Sequence, residues 1–79
     1  MEEPKPGEKY VHFKGKDKVY EVIVISRDCN NPANKIVTYQ SLYSSEEFQA
    51  GTIWSRSLED FVGFKMVEGK KVKRFVKIE

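Results

Sequence analysis

Seventy-nine residues, 39% hydrophobic and 33% charged, are enough for one compact domain, and they exclude a second domain and a disordered chain. The net charge of +2 is too small to name a partner by itself, so the distribution of charge carries the information. One cysteine, Cys29, excludes an internal disulfide, and with one histidine it is too small a donor set for a protein-only zinc site. The opening MEEPKPGEK lacks an apolar stretch and no run approaches 18 apolar residues, so the expectation is a cytoplasmic protein that is neither secreted nor membrane-inserted.

In chain order, residues 1–8 read as a flexible tail and residues 9–79 as a single domain. The first strand is predicted over residues 9–14. Alternation puts Tyr10, His12 and Lys14 on one face and the apolar pair Val11 and Phe13 on the other, which is therefore expected to be the core face. KGKDK turns the chain. Residues 19–27 are dense in β-branched and aromatic side chains and apolar on both faces from Val22 to Ile25, the pattern of a central strand. DCNNPAN reads as a loop. Cys29 at its start is either a plain loop cysteine or a thiol activated by Arg27, and the first needs no special neighbours.

The third strand is predicted over residues 35–43, with Val37 and Tyr39 on one face, Ile36 and Thr38 on the other, and a slip of register at Leu42 and Tyr43. Ser44 and Glu47 have capping-box spacing, which predicts a short helical turn before Gly51. IWSR is the fourth strand. Ser57 and Asp60 repeat the capping spacing, and Leu58 and Phe61 would drop one helical face onto the core. FKMVEGKKVKRFVKI reads as a closing hairpin with its turn at Glu68 and Gly69. Six short strands without long intervening helices cannot form βαβ units. The expected fold is mainly β: a small, strongly bent antiparallel sheet closing toward an SH3-like barrel, with one or two short helical turns.

The ordered set Pro6, Gly7, Tyr10, His12, Phe13, Lys14, Gly15, Tyr20, Val22, Val37, Tyr39, Leu42, Tyr43, Trp54, Arg56, Leu58 and Phe61 resembles the bacterial domain of unknown function family 1653. The resemblance runs over about residues 6–75, since Val67, Gly69, Val72, Arg74 and Phe75 fall where that family places its closing hairpin. It implies a small bacterial protein or an appended domain, a class with no established reaction. This chain departs from the family pattern at Arg27 to Asn31, at Ser44 with the longer loop after it, and at Ser57, where the family has proline. Serine can begin a helical turn by capping, as proline can by its fixed φ.

Function rests on a few side chains. Lys14, Lys16 and Lys18 surround Asp17, and Lys65, Lys70, Lys71, Lys73, Arg74 and Lys77 face only Glu68, so these two basic groups either solvate turns and edges or form a phosphate-binding surface. Trp54 and Arg56 share a strand face, and on the packing reading the arginine stem is no more than cover for the ring. The alternative is that Trp54, Arg56 and His12 converge with Tyr39 or Tyr43 into a ligand site offering a stacking plane, a cationic fork and an adjustable donor. No spacing supports a catalytic triad or a phosphate loop, and the carboxylate pairs Glu46 with Glu47 and Glu59 with Asp60 sit in first helical turns, where they complement the helix dipole. The expectation is a monomeric, non-catalytic binding module without cofactor or metal. Its expected ligand is nucleic acid or a nucleotide, with a protein-peptide module or a ligand-free structural domain as the alternatives.

Overall fold

The computed structural model describes residues 3–78. Seven strands and one helical turn follow in order: β1 (Lys9–His12), β2 (Val19–Asp28), β3 (Asn31–Ser41), β4 (Ile53–Ser57), α1 (Leu58–Phe61), β5 (Phe64–Val67), β6 (Lys70–Lys73) and β7 (Phe75–Lys77). Five strands form one antiparallel sheet in the order β4-β3-β2-β1-β7, and β5 with β6 form a separate hairpin. The fold is mainly β and antiparallel, as expected. Its sheet is open, because β4 and β7 are opposite edges that do not pair, and this corrects the expected closure toward a barrel. In place of closure, α1 lays Phe61 over the concave face.

That lid explains the core. Phe61 and Phe75 stack with ring centres 4.3 Å apart and planes 8° from parallel, while Tyr10 and Tyr39 meet Phe61 edge-on at 5.1 and 5.4 Å. Val22 and Val37 fill the space beneath, and all six of these side chains are buried. Such offset and edge contacts between aromatic rings add about 0.5–1.5 kcal/mol each beyond the area they bury.

The faces of β1 are the reverse of the apolar reading. Tyr10 is 8% exposed, whereas Val11 and Phe13 are half-buried. Neighbours decide this: Tyr10 lies opposite Tyr20, and His12 lies opposite the buried Phe75. Tyrosine can fill a core while its hydroxyl stays at the rim. Here the Tyr10 hydroxyl donates to Glu8 Oε1 at 3.0 Å. β1 also ends two residues early, because Gly15 N–H returns to the His12 carbonyl and begins the turn.

In β2 a bulge at Ile23, with Val22 opposite Tyr39 and Val24 opposite Thr38, turns Ile23 and Val24 outward together and Val22 and Ile25 inward. The outer face is therefore open, with Ile23 and Val24 exposed, and β2 is not covered on both sides. The loop expected across DCNNPAN shrinks to Cys29 and Asn30. Asp28 Oδ1 accepts from Asn30 N–H at 2.9 Å, and β3 restarts at Asn31. Pro32, Ala33 and Asn34 are then set out of the ladder between Asn31 and Lys35, a position where proline's missing N–H leaves no partner unserved.

The two capping spacings diverge. Ser57 Oγ accepts from Asp60 N–H at 3.1 Å and starts α1, as expected. Ser45 instead exchanges backbone and side-chain bonds with Phe48, so the stretch after Ser44 is a set of bends with no helix. At the closing hairpin the turn is where expected: Glu68 and Gly69 both take positive φ, 51° and 78°, the two-residue turn that suits the twist of paired strands. Its second arm breaks at Arg74, and Phe75 begins a seventh strand that pairs with β1, so the expected count of six was one short.

Of the expected tail, Met1 and Glu2 lie outside the described residues, as does Glu79. Residues 3–8 lie against β2: Pro4 is fully buried, Gly7 N–H donates to the Val22 carbonyl and Val22 N–H to that of Glu8.

Candidate functional site

The inner face of the sheet carries its aromatics to one rim. On β4, Trp54 is opposite Tyr39 and Arg56 is opposite Val37, so both β4 side chains share the inner face of β3. Arg56 Nε donates to the Tyr39 hydroxyl over 3.4 Å, and its guanidinium carbon lies 5.9 Å from the centre of the Phe75 ring. His12 meets that same ring edge-on from the other side at 5.2 Å. Tyr20 meets Tyr39, Tyr43 and Phe75 edge-on at 5.4 to 5.6 Å, and its hydroxyl is 2.6 Å from that of Tyr43. Lys18 Nζ lies 5.0 Å from the centre of the Tyr43 ring.

Thus four of the five expected residues, His12, Tyr39, Tyr43 and Arg56, form one continuous group joined through Tyr20 and Phe75. Trp54 stands beside it. Its ring is engaged edge-on by Phe48 at 4.7 Å. Ser41 Oγ and Trp54 Nε1 are buried with no protein partner and border a cavity of about 20 Å³ shared with Tyr43, Ser45 and Phe48. That space suits one water and no organic ligand. A larger hollow of about 350 Å³ lies elsewhere, between the bulged start of β3 and α1, and none of the five residues lines it.

Burial and neighbouring charge set the protonation states at the rim. Burial first, and then the charges of Lys14, Arg56, Arg74 and Lys18, hold His12 down at about 4 from its ordinary 6.5. The imidazole is therefore neutral at pH 7. Its Nδ1 accepts from Lys14 N–H at 3.2 Å, which leaves Nε2 as the protonated nitrogen and a donor. Burial, and then the Tyr43 hydrogen bond, push Tyr20 up, so it too stays neutral. Three lysines away from the rim are matched: Lys77 pairs with Glu8 at 2.8 Å, Lys35 with Glu3 at 2.7 Å and Lys9 with Glu21 at 4.0 Å. Among the described residues, no carboxylate forms an ion pair with Arg56, Arg74, Lys14 or Lys18. Arg74 gives its Nε–H to the Asp60 carbonyl at 3.1 Å.

The site has the chemistry of anion recognition: hydroxyls of Tyr39 and Tyr43, a neutral imidazole donor and unmatched cations beside aromatic rings. Sequence reasoning left Tyr20 and Phe75 out of the site and weighed Lys18 and Arg74 only within two separate basic groups. Tyr20 had the signal, an aromatic at the start of the most apolar strand, but Phe75 joins the group only because β7 returns to β1. Among the described residues, no group of three or more His, Cys, Asp or Glu side chains is placed to hold a metal ion, and no helix is long and apolar enough to cross a membrane.

No curated protein and no solved structure matched the chain. A family model, described as a protein of unknown function (DUF1653), matches residues 8–77, a span that contains the whole rim from His12 to Phe75. With nearly its full length accounted for, the chain belongs to this DUF1653 family.

Proposed function

We propose that this chain is a non-catalytic binding module that takes a nucleic acid or nucleotide at the rim formed by His12, Tyr39, Tyr43 and Arg56. The observation that carries the reading is the set of cations without carboxylate partners, Arg56, Arg74, Lys14 and Lys18, gathered about the His12 imidazole beside Tyr20, Tyr43 and Phe75. Phosphate seeks such charge, and a base can stack on the half-buried ring of Tyr20 or Tyr43, each stacked base contributing about 1–3 kcal/mol. Trp54, packed against the core with Phe48 edge-on to its ring, serves as support and not as the stacking plane. The bent sheet would act as SH3-like rolls do, presenting a concave aromatic face in a bacterial cytoplasm, where the exposed Cys29 stays reduced.

The test is a proton-nitrogen NMR titration with single-stranded DNA, RNA and mononucleotides at low salt and at about 0.2 M, where screening weakens phosphate contacts. Shifts should gather at residues 12, 39, 43 and 56 and fade with salt, and Arg56→Gln should weaken binding about tenfold while leaving the spectrum folded, the loss of a charged hydrogen bond. A folded Arg56→Gln variant with undiminished affinity overturns the reading. A peptide added as a strand is the second reading, supported by the free β4 edge beside the exposed Ile53. It predicts binding that survives salt, with shifts along residues 53–57.

A further inference from the structure

The β5–β6 hairpin stands apart from the sheet and is exposed along both arms, with only Val72 half-buried. A two-stranded ribbon is marginal alone, so side chains exposed on both faces of one call for a reason. Its ladder pairs Phe64 with Lys73 and Met66 with Lys71, which puts two apolar and two cationic side chains on one face. Lys71 Nζ lies 4.7 Å from the centre of the Phe64 ring. Four lysines on the arms face the single Glu68 at the turn, and among the described residues none of the four is ion-paired. An arm of this composition complements a polyanion with π-faces.

The arm is also continuous with the rim. Arg74 follows Lys73 directly, its N–H donates to the Gly63 carbonyl at the base of the hairpin, and its carbonyl accepts from Phe13 N–H next to His12. The charge that His12 feels from Arg74 is therefore the near end of a basic track running out along Lys73 and Lys71. From Arg74 out to Lys71, at roughly 3.4 Å per residue, the hairpin carries that track about 10 Å.

We propose that the β5–β6 hairpin is a phosphate-tracking arm, and that the ligand is a single-stranded oligonucleotide running from His12 and Arg56 past Arg74 onto Lys73 and Lys71. The inference rests on the nucleic-acid reading of the rim and narrows it from nucleotides in general to a strand. The experiment compares thymidine monophosphate, a ten-nucleotide oligothymidylate and a ten-residue polyglutamate, each against wild type and the exposed double variant Lys71→Gln with Lys73→Gln. The decamer should bind at least tenfold tighter than the monophosphate and shift residues 70–74. The double variant should flatten its salt slope by about 1.4, two phosphate contacts at about 0.7 each, so that the variant's loss at 50 mM salt exceeds that at 200 mM about sevenfold. Monophosphate binding should be unchanged.

If decamer and monophosphate both shift the rim but the variant keeps the wild-type slope, the arm is overturned and the rim site stands. If neither nucleotide ligand binds, both proposals fall. Polyglutamate binding as tightly as the decamer overturns the arm as a nucleic-acid contact and makes it a docking surface for acidic protein.

Discussion

His12 is neutral at physiological pH because burial and its cationic neighbours Lys14, Arg56, Arg74 and Lys18 oppose protonation, and its titration is the first property to check. The unfolded chain takes up this proton near 6.5 and the folded one near 4. Stability from neutral His12 is complete above the higher value and is lost progressively as pH falls from 6.5 toward 4. Urea midpoints should thus be level above pH 7 and decline below 6.5, the decline above pH 4.5 should be reduced in His12→Gln, and the imidazole proton signals should titrate near 4. A midpoint at 6.5 would mean that the ring is exposed and that the cations do not face it. A bound phosphate should raise the midpoint by offsetting those charges. How much of this was legible in sequence depends on the partner: the shared face of Trp54 and Arg56 followed from spacing two apart, whereas the approach of His12 to that face stood only as one of two readings. The inward turn of Tyr10 and His12 did not follow, since apolarity favoured Val11 and Phe13, and the positions of Tyr20 and Phe75 opposite them settle the matter. Nor was the contact of Phe48 with Trp54 legible, because it depends on the path of a loop.

At the scale of elements, two identical spacings gave different outcomes, and burial is the reason. Ser57 caps a turn that drops Phe61 into the core, whereas the stretch after Ser44 leaves Phe48 45% exposed with only an edge contact to Trp54, too little burial to offset the cost of nucleating a helix. Ser57→Ala should therefore cost about 1 kcal/mol in urea unfolding, and an unchanged midpoint would show that Phe61 alone holds α1. In the hairpin, Glu68 holds a left-handed φ of 51° that suits Asn better. Glu68→Asn should raise the melting temperature slightly, and Gly69→Val should lower stability by about 1–2 kcal/mol, since a side chain there must adopt φ 78°. The turn itself was legible because glycine is needed there, while the bulges at Ile23 and at Pro32 to Asn34 were not, because each is fixed only by the strand beside it.

For the whole molecule, Phe75 is the residue on which the parts depend: it stacks on Phe61, faces Tyr20 and Tyr39 and supports both His12 and Arg56. Phe75→Ala should cost about 3–5 kcal/mol, comparable to all that a core of this size supplies, so the variant should show collapsed amide dispersion at 25 °C. Retained dispersion would mean that α1 and the sheet hold without it. The mainly antiparallel class was legible from strand periodicity; the open edges were not, because closure depends on where Phe61 lands. The pairing of β1 with β7 has a consequence for how the protein is made. The earliest strand lacks its outer partner until the latest is made, so a chain emerging from a ribosome has no ring to stack face to face on Phe61 until residue 75 has cleared the exit tunnel. Folding is thereby held to the end of this segment's synthesis, and a message broken before that codon yields a product with a bare aromatic surface, open to chaperones and proteases.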